Sequence, residues 1–140
     1  MYPIHIMKSH GLDHDSINDV FNALVLNRIY YAINSWYLLI CKNDVDRMNK
    51  IIKRARKLGY CKQSTPDFSI TANGRATVLF NKIEKDNTHV LHKLLPPPTN
   101  HSHALRDPGS KYILPQLKGA YDTRNFIQYM LYKTANHNYL

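Results

Sequence analysis

Apolar residues recur at helical spacing through the first half of the chain. Ile17, Val20, Phe21, Leu24 and Val25, then Ile29, Tyr30, Ile33, Trp36, Tyr37 and Ile40, follow at steps of three and four. They predict a helix over 15–40 whose apolar face widens toward its end. Asp13 or Asp15 is placed to cap it, and Asp19 adds favourable charge to its early turns. Val45, Met48, Ile51, Ile52, Ala55 and Leu58 mark a second helix over 44–58. Asn43 or Asp44 is its expected cap and Gly59 the residue just past its end. The short link between the two makes them a helical hairpin. Thr65-Pro66-Asp67 opens a third helix over 67–85, with Phe68, Ala72, Ala76, Leu79, Phe80 and Ile83 inward. Gly74 weakens its middle by on the order of 1 kcal/mol against alanine.

Beyond residue 85 the periodicity fades. A short turn of helix from Thr88 to Leu95 is stopped by Pro96-Pro97-Pro98, which has to be extended. Residues 99–119 read as loop, with Pro108-Gly109 as a turn and Tyr112-Ile113-Leu114 as a short strand. Phe126, Ile127, Met130 and Leu131 then predict a helix near 123–135. The expected fold is all-α: a small helical bundle over 1–95, then a Pro-rich break and a looser tail over 96–140 that ends in a short helix. No internal repeat is visible.

Composition narrows the class. The chain has 140 residues, 44% of them hydrophobic, and a formal net charge of +9. That suits one domain, or a domain plus a tail, with a partner that is polyanionic. Cys41 and Cys61 are isolated, and both thiols are expected to be free. The run from Ile29 to Cys41 is interrupted by Asn34 and Ser35 and falls short of the roughly twenty apolar residues that span a bilayer. No membrane partner is expected, and the chain reads as intracellular, in cytoplasm or nucleus.

Charge is distributed unevenly over the second helix. Outside its apolar stripe lie Arg47, Lys50, Lys53, Arg54, Arg56 and Lys57, and no carboxylate occurs from Arg47 through Lys62. A solvated face ordinarily mixes signs, because Glu–Lys pairs at i,i+4 add support. One sign alone points to a polyanion, and Arg47, Lys50, Lys53, Arg54 and Lys57 are the candidate contacts to nucleic-acid backbone. Ten tyrosines and one tryptophan are available for stacking. Tyr30, Tyr31, Trp36 and Tyr37 fall on the apolar helix, however, where packing is their expected role.

Other chemistries lack their residues. His89-x-x-His92 and His101-x-His103 lie near one another, but no cysteine pair completes a zinc set. His89 and His92 are therefore read as surface or packing residues. Asp44-x-Asp46 has the residues for a shared metal, but the first turn of a helix is where acids belong for dipole reasons. There is no Gly-rich phosphate loop, no Gly-x-Ser-x-Gly and no Cys-x-x-Cys. No catalytic residue, metal ligand or cofactor is assigned.

Several phrases stand together in a familiar order. His10-Gly11-Leu12 precedes Asp19-Val20-Phe21-x-Ala23-x-Val25 and Ile29-x-Tyr31-Ala32 before Trp36. Asp46-Arg47, Arg54-Ala55-x-x-Leu58-Gly59-Tyr60-Cys61 and Leu79-Phe80-Asn81-Lys82 follow. Then come His89-Val90-Leu91-His92-x-Leu94-Leu95-Pro96-Pro97-Pro98, Asn125-Phe126-Ile127 and Met130-Leu131-Tyr132-Lys133. Over nearly its whole length the chain resembles the C-terminal part of the reverse transcriptase proteins of LINE-type (non-long-terminal-repeat) retrotransposons.

The resemblance implies a helical thumb and the segment after it, which help to hold template and growing strand beside an upstream palm and fingers. The family's catalytic carboxylates lie in that palm, in an aromatic-x-Asp-Asp turn and an earlier Asp. This chain has no adjacent Asp-Asp pair, so the resemblance implies a non-catalytic fragment. Two departures stand out. Asp107-Pro108-Gly109-Ser110 replaces a stretch that tends to carry a basic residue and a histidine, and Tyr129 stands where arginine is usual. Two alternatives stay open. One is a helical protein-interaction or self-associating module, and the other is a decayed element remnant with no selected function.

Overall fold

The fold is all-α. The computed structural model describes residues 2–99, 111–119 and 122–136, and among these no strand forms, only an isolated antiparallel bridge between Pro98 and Tyr112. The α-helices are α1 (Tyr2–Ser9), α2 (His14–Phe21), α3 (Asn27–Tyr30), α4 (Ile33–Trp36), α5 (Lys42–Leu58), α6 (Phe68–Lys85) and α7 (Phe126–Asn136). The chain divides into two compact units, Met1–Gly74 and Arg75–Leu140, and α6 runs through the boundary. The triple proline thus lies inside the second unit. No helix among the described residues is long and apolar enough to cross a membrane.

In the first unit the 15–40 segment is not one helix. Asp13 caps α2 as expected, its carboxylate accepting from the Ser16 N–H at 2.9 Å. Hydrogen bonding from Ser16, its side chain first and then this N–H, holds the Asp13 carboxyl below its ordinary pKa. A π-helical stretch, Asn22–Leu26, then widens the turn. The extra residue per turn shifts the register, so Leu26 is buried whereas Leu24 is 53% exposed. Ala32 adopts φ +46°, in the left-handed region, and ends α3 before α4 and a 3-10 turn, Tyr37–Leu39. The Trp36 indole N–H crosses this break to the Tyr31 carbonyl at 2.9 Å.

α1, which the periodicity does not predict, covers one side of this core. Pro3 lies in its first turn, where a missing N–H costs nothing, and Ile4 is buried. The centre of the unit is Phe68, fully buried at the start of α6. Tyr30 and Trp36 stack on its ring at centroid distances of 6.1 and 5.9 Å, and Tyr37 meets it edge-on at 5.7 Å. Ile17, Phe21, Leu26, Ile33, Ile52, Ala55, Tyr60, Cys61 and Ala72 belong to the same cluster.

The second unit packs Ala76, Phe80 and Ile83 of α6 with Tyr112 and with Ile127, Met130 and Leu131 of α7. The expected Thr88–Leu95 helix is a 3-10 stretch, Val90–Leu94, and the expected strand at 112–114 is the single bridge at Tyr112. Asn125 starts α7 by accepting from the N–H groups of Ile127 and Gln128 at 3.0 and 3.4 Å. The Tyr132 hydroxyl donates to the Pro115 carbonyl at 2.6 Å. The expected turn at Pro108-Gly109 lies outside the described residues.

Candidate nucleic-acid interface

α5 positions the charged face. The helix starts earlier than expected: Cys41 is its N-cap residue, and Lys42 its first helical one. Asn43 and Asp44 therefore lie inside the helix, and the Asp44 carboxylate takes the favourable first-turn place. It accepts from Cys41 Sγ at 3.1 Å and pairs with Arg47 at 3.4 Å. The other end closes as expected, with Gly59 at φ +69° donating to the carbonyls of Ala55 and Arg56. Ile52 and Ala55 are fully buried, Val45 and Met48 partly so, and Leu58 is 37% exposed.

With this stripe fixed inward, Arg47, Lys50, Lys53, Arg54 and Lys57 are all exposed. At 100° per residue they share an arc of about 120°, and at 1.5 Å per residue they extend over about 15 Å. Lys50, Lys53, Arg54 and Lys57 make no ion pair among the described residues. Arg56 does not belong to this face. It turns toward the core and donates to Asp67, just ahead of α6. Lys57 also lies in the last turn of α5, where cations favour the helix itself.

Lys8 extends the positive charge, and the sequence offers no local signal of it. Its ammonium donates to the Leu58 carbonyl at 2.6 Å across a separation of fifty residues, and lies 5.8 Å from the Tyr60 ring centroid. It thereby satisfies one of the end carbonyls that a helix leaves open. Near by, Lys62 is neutralised by Asp15 at 3.3 Å.

Of the aromatic residues read as core, Tyr30, Trp36 and Tyr37 pack around Phe68, but Tyr31 is 80% exposed. His89 and His92 each have a local role. His89 Nδ1 accepts from the Leu91 N–H at 3.2 Å, and His92 Nδ1 is 2.7 Å from the Ile83 carbonyl. His101 and His103 lie outside the described residues, as do Asp107, Pro108, Gly109 and Ser110. Among the described residues no group of three or more His, Cys, Asp or Glu side chains is arranged to hold a metal ion. Compared with family models, curated proteins and solved structures, the chain matches none.

Proposed function

We propose that the chain binds nucleic-acid backbone, without sequence preference, through the outward face of α5. The observation that carries this reading is the set of exposed cations at Arg47, Lys50, Lys53, Arg54 and Lys57 on a stretch free of carboxylates. Each cation placed against a phosphate releases counterions, so affinity falls steeply with salt. Tyr30, Trp36 and Tyr37 are committed to the Phe68 cluster, so along α5 itself the cations meet backbone rather than base edges. A thumb-like role, gripping template and primer beside a palm in a longer polypeptide, belongs to the same reading. Phosphoryl transfer does not, since no adjacent Asp-Asp pair is present.

The test is binding of the full chain to DNA duplex and to RNA–DNA hybrid over a range of salt concentrations. Replacing Lys50, Lys53 and Lys57 together by alanine should weaken binding and reduce the salt slope by about three, one for each lost phosphate contact. An unchanged slope would mean that the face is only solvated. Mg²⁺-dependent primer extension by the pure chain would overturn the non-catalytic part of the reading.

A self-associating module is the second reading, supported by the exposed apolar side chains of Leu24, Tyr31 and Leu39. It requires a particle size that grows with concentration and ignores added nucleic acid.

A further inference from the structure

We propose that the groove between α1 and the end of α5 receives one unpaired nucleotide at the edge of a bound duplex. This assignment rests on the backbone-binding reading and adds a ligand class to it. The groove has a volume of about 370 Å³ and is lined by Tyr2, His5, Arg54, Leu58 and Tyr60. That lies within the roughly 300–1,000 Å³ typical of small-ligand sites.

Its residues divide as a nucleotide does. Tyr2 is 74% exposed and Leu58 37%, so the lining offers an accessible aromatic ring and an apolar side chain. Tyr60, only 3% exposed, belongs to the core cluster beneath. The exposed surfaces of Tyr2 and Leu58 suit the flat apolar faces of a base, with Tyr60 as the floor that supports them. His5 follows Tyr2 by three residues on α1, so the two share a face of that helix. Arg54 supplies the cation for the phosphate, and no carboxylate lines the groove.

Arg54 also connects the groove to the proposed duplex track. Lys50 precedes it by four residues and Lys57 follows it by three, so all three lie along one side of α5. A strand held by these residues reaches the groove without leaving positive surface. The Lys8 ammonium is tied to the Leu58 carbonyl at the same end of α5 and adds to the positive potential there.

The experiment compares a blunt DNA duplex with the same duplex carrying a short unpaired adenine tail, using the full chain. The tailed duplex should bind about tenfold more tightly, the scale of one base–aromatic stack. Tyr2→Ala should abolish that difference, and Tyr2→Trp should preserve it. Equal affinity for the two duplexes, or a tail preference that survives Tyr2→Ala, would overturn the groove assignment alone, since salt-dependent duplex binding would remain. If neither duplex binds, the backbone reading falls and the groove assignment with it.

Discussion

The Arg56 guanidinium donates to the carboxylate of Asp67, eleven residues on, and so ties the basic helix to the start of α6. Arg56 and Lys57 are adjacent in sequence, yet one braces the fold and the other faces solvent. Their substitutions should therefore separate stability from binding. Arg56→Ala should cost about 1 kcal/mol, the upper end for an accessible pair, because the arginine stem also loses packing. It should leave the salt slope of nucleic-acid binding intact. Lys57→Ala should leave the urea midpoint nearly unchanged and lower the salt slope by about one. If Arg56→Ala flattened the slope as much as Lys57→Ala, the assignment of the two side chains would be wrong.

Phe68 is the second point at which a single substitution should be felt. Its ring meets three aromatic neighbours and is fully buried, so alanine there leaves a large void. Phe68→Ala should cost about 3–5 kcal/mol, as for other buried phenylalanines. Trp36 reports the change directly: its emission should shift to the red as the stack is lost. A midpoint close to that of the wild type would show that the cluster is not the centre of the first unit.

Two backbone positions should respond with opposite signs. Gly59 sits at φ +69°, and a Cβ there would come within 3.1 Å of the Lys8 ammonium. Gly59→Ala should destabilise by about 1–2 kcal/mol, the cost of the left-handed conformation for an L-residue. Ala32 already carries that strain at φ +46°. Ala32→Gly should relieve it, and after the entropic cost of glycine a gain of up to about 1 kcal/mol should remain. Urea melts of both variants decide it. A loss at Ala32→Gly like that of glycine in an ordinary helix would contradict the break.

These two positions also mark what the sequence can and cannot convey. Gly59 and the Asp13 cap are local devices whose residue types declare their geometry, and both stand where the pattern puts them. The break at Ala32 has no such residue type, since alanine is the best helix former. It forms where Tyr30, Trp36 and Tyr37 all reach one ring, Phe68, more than thirty positions along the chain. The π-helical turn is similar: Leu24 and Leu26 are equally apolar, and packing alone selects Leu26. α1 escapes a periodicity argument because eight residues are too few to establish a period. The outward cations of α5 were readable because a long amphipathic helix fixes its own faces. The inward turn of Arg56 and the approach of Lys8 were not, since both depend on partners outside the helix.

The two thiols provide the last test, because burial treats them oppositely. Cys41 is exposed at the start of α5, whereas Cys61 is buried in the first core. Removal from water pushes the Cys61 thiol above its ordinary pKa, outweighing the hydrogen bond with Thr65 and the charge of Arg56. In the native chain a thiol reagent should modify Cys41 promptly, and Cys61 only as fast as the unit opens. Modification of both at one rate would place Cys61 at the surface. The same burial fixes the sign of a pH effect. The folded chain keeps a proton that the unfolded chain releases near the usual thiol pKa, about 8.5. Below that value Cys61 contributes no pH dependence. As pH rises from there toward the raised native value, the unfolded state gains by ionising and stability falls. Urea melts through this alkaline window should show a decline that is shallower in Cys61→Ala, whose lower starting stability does not alter the comparison of slopes.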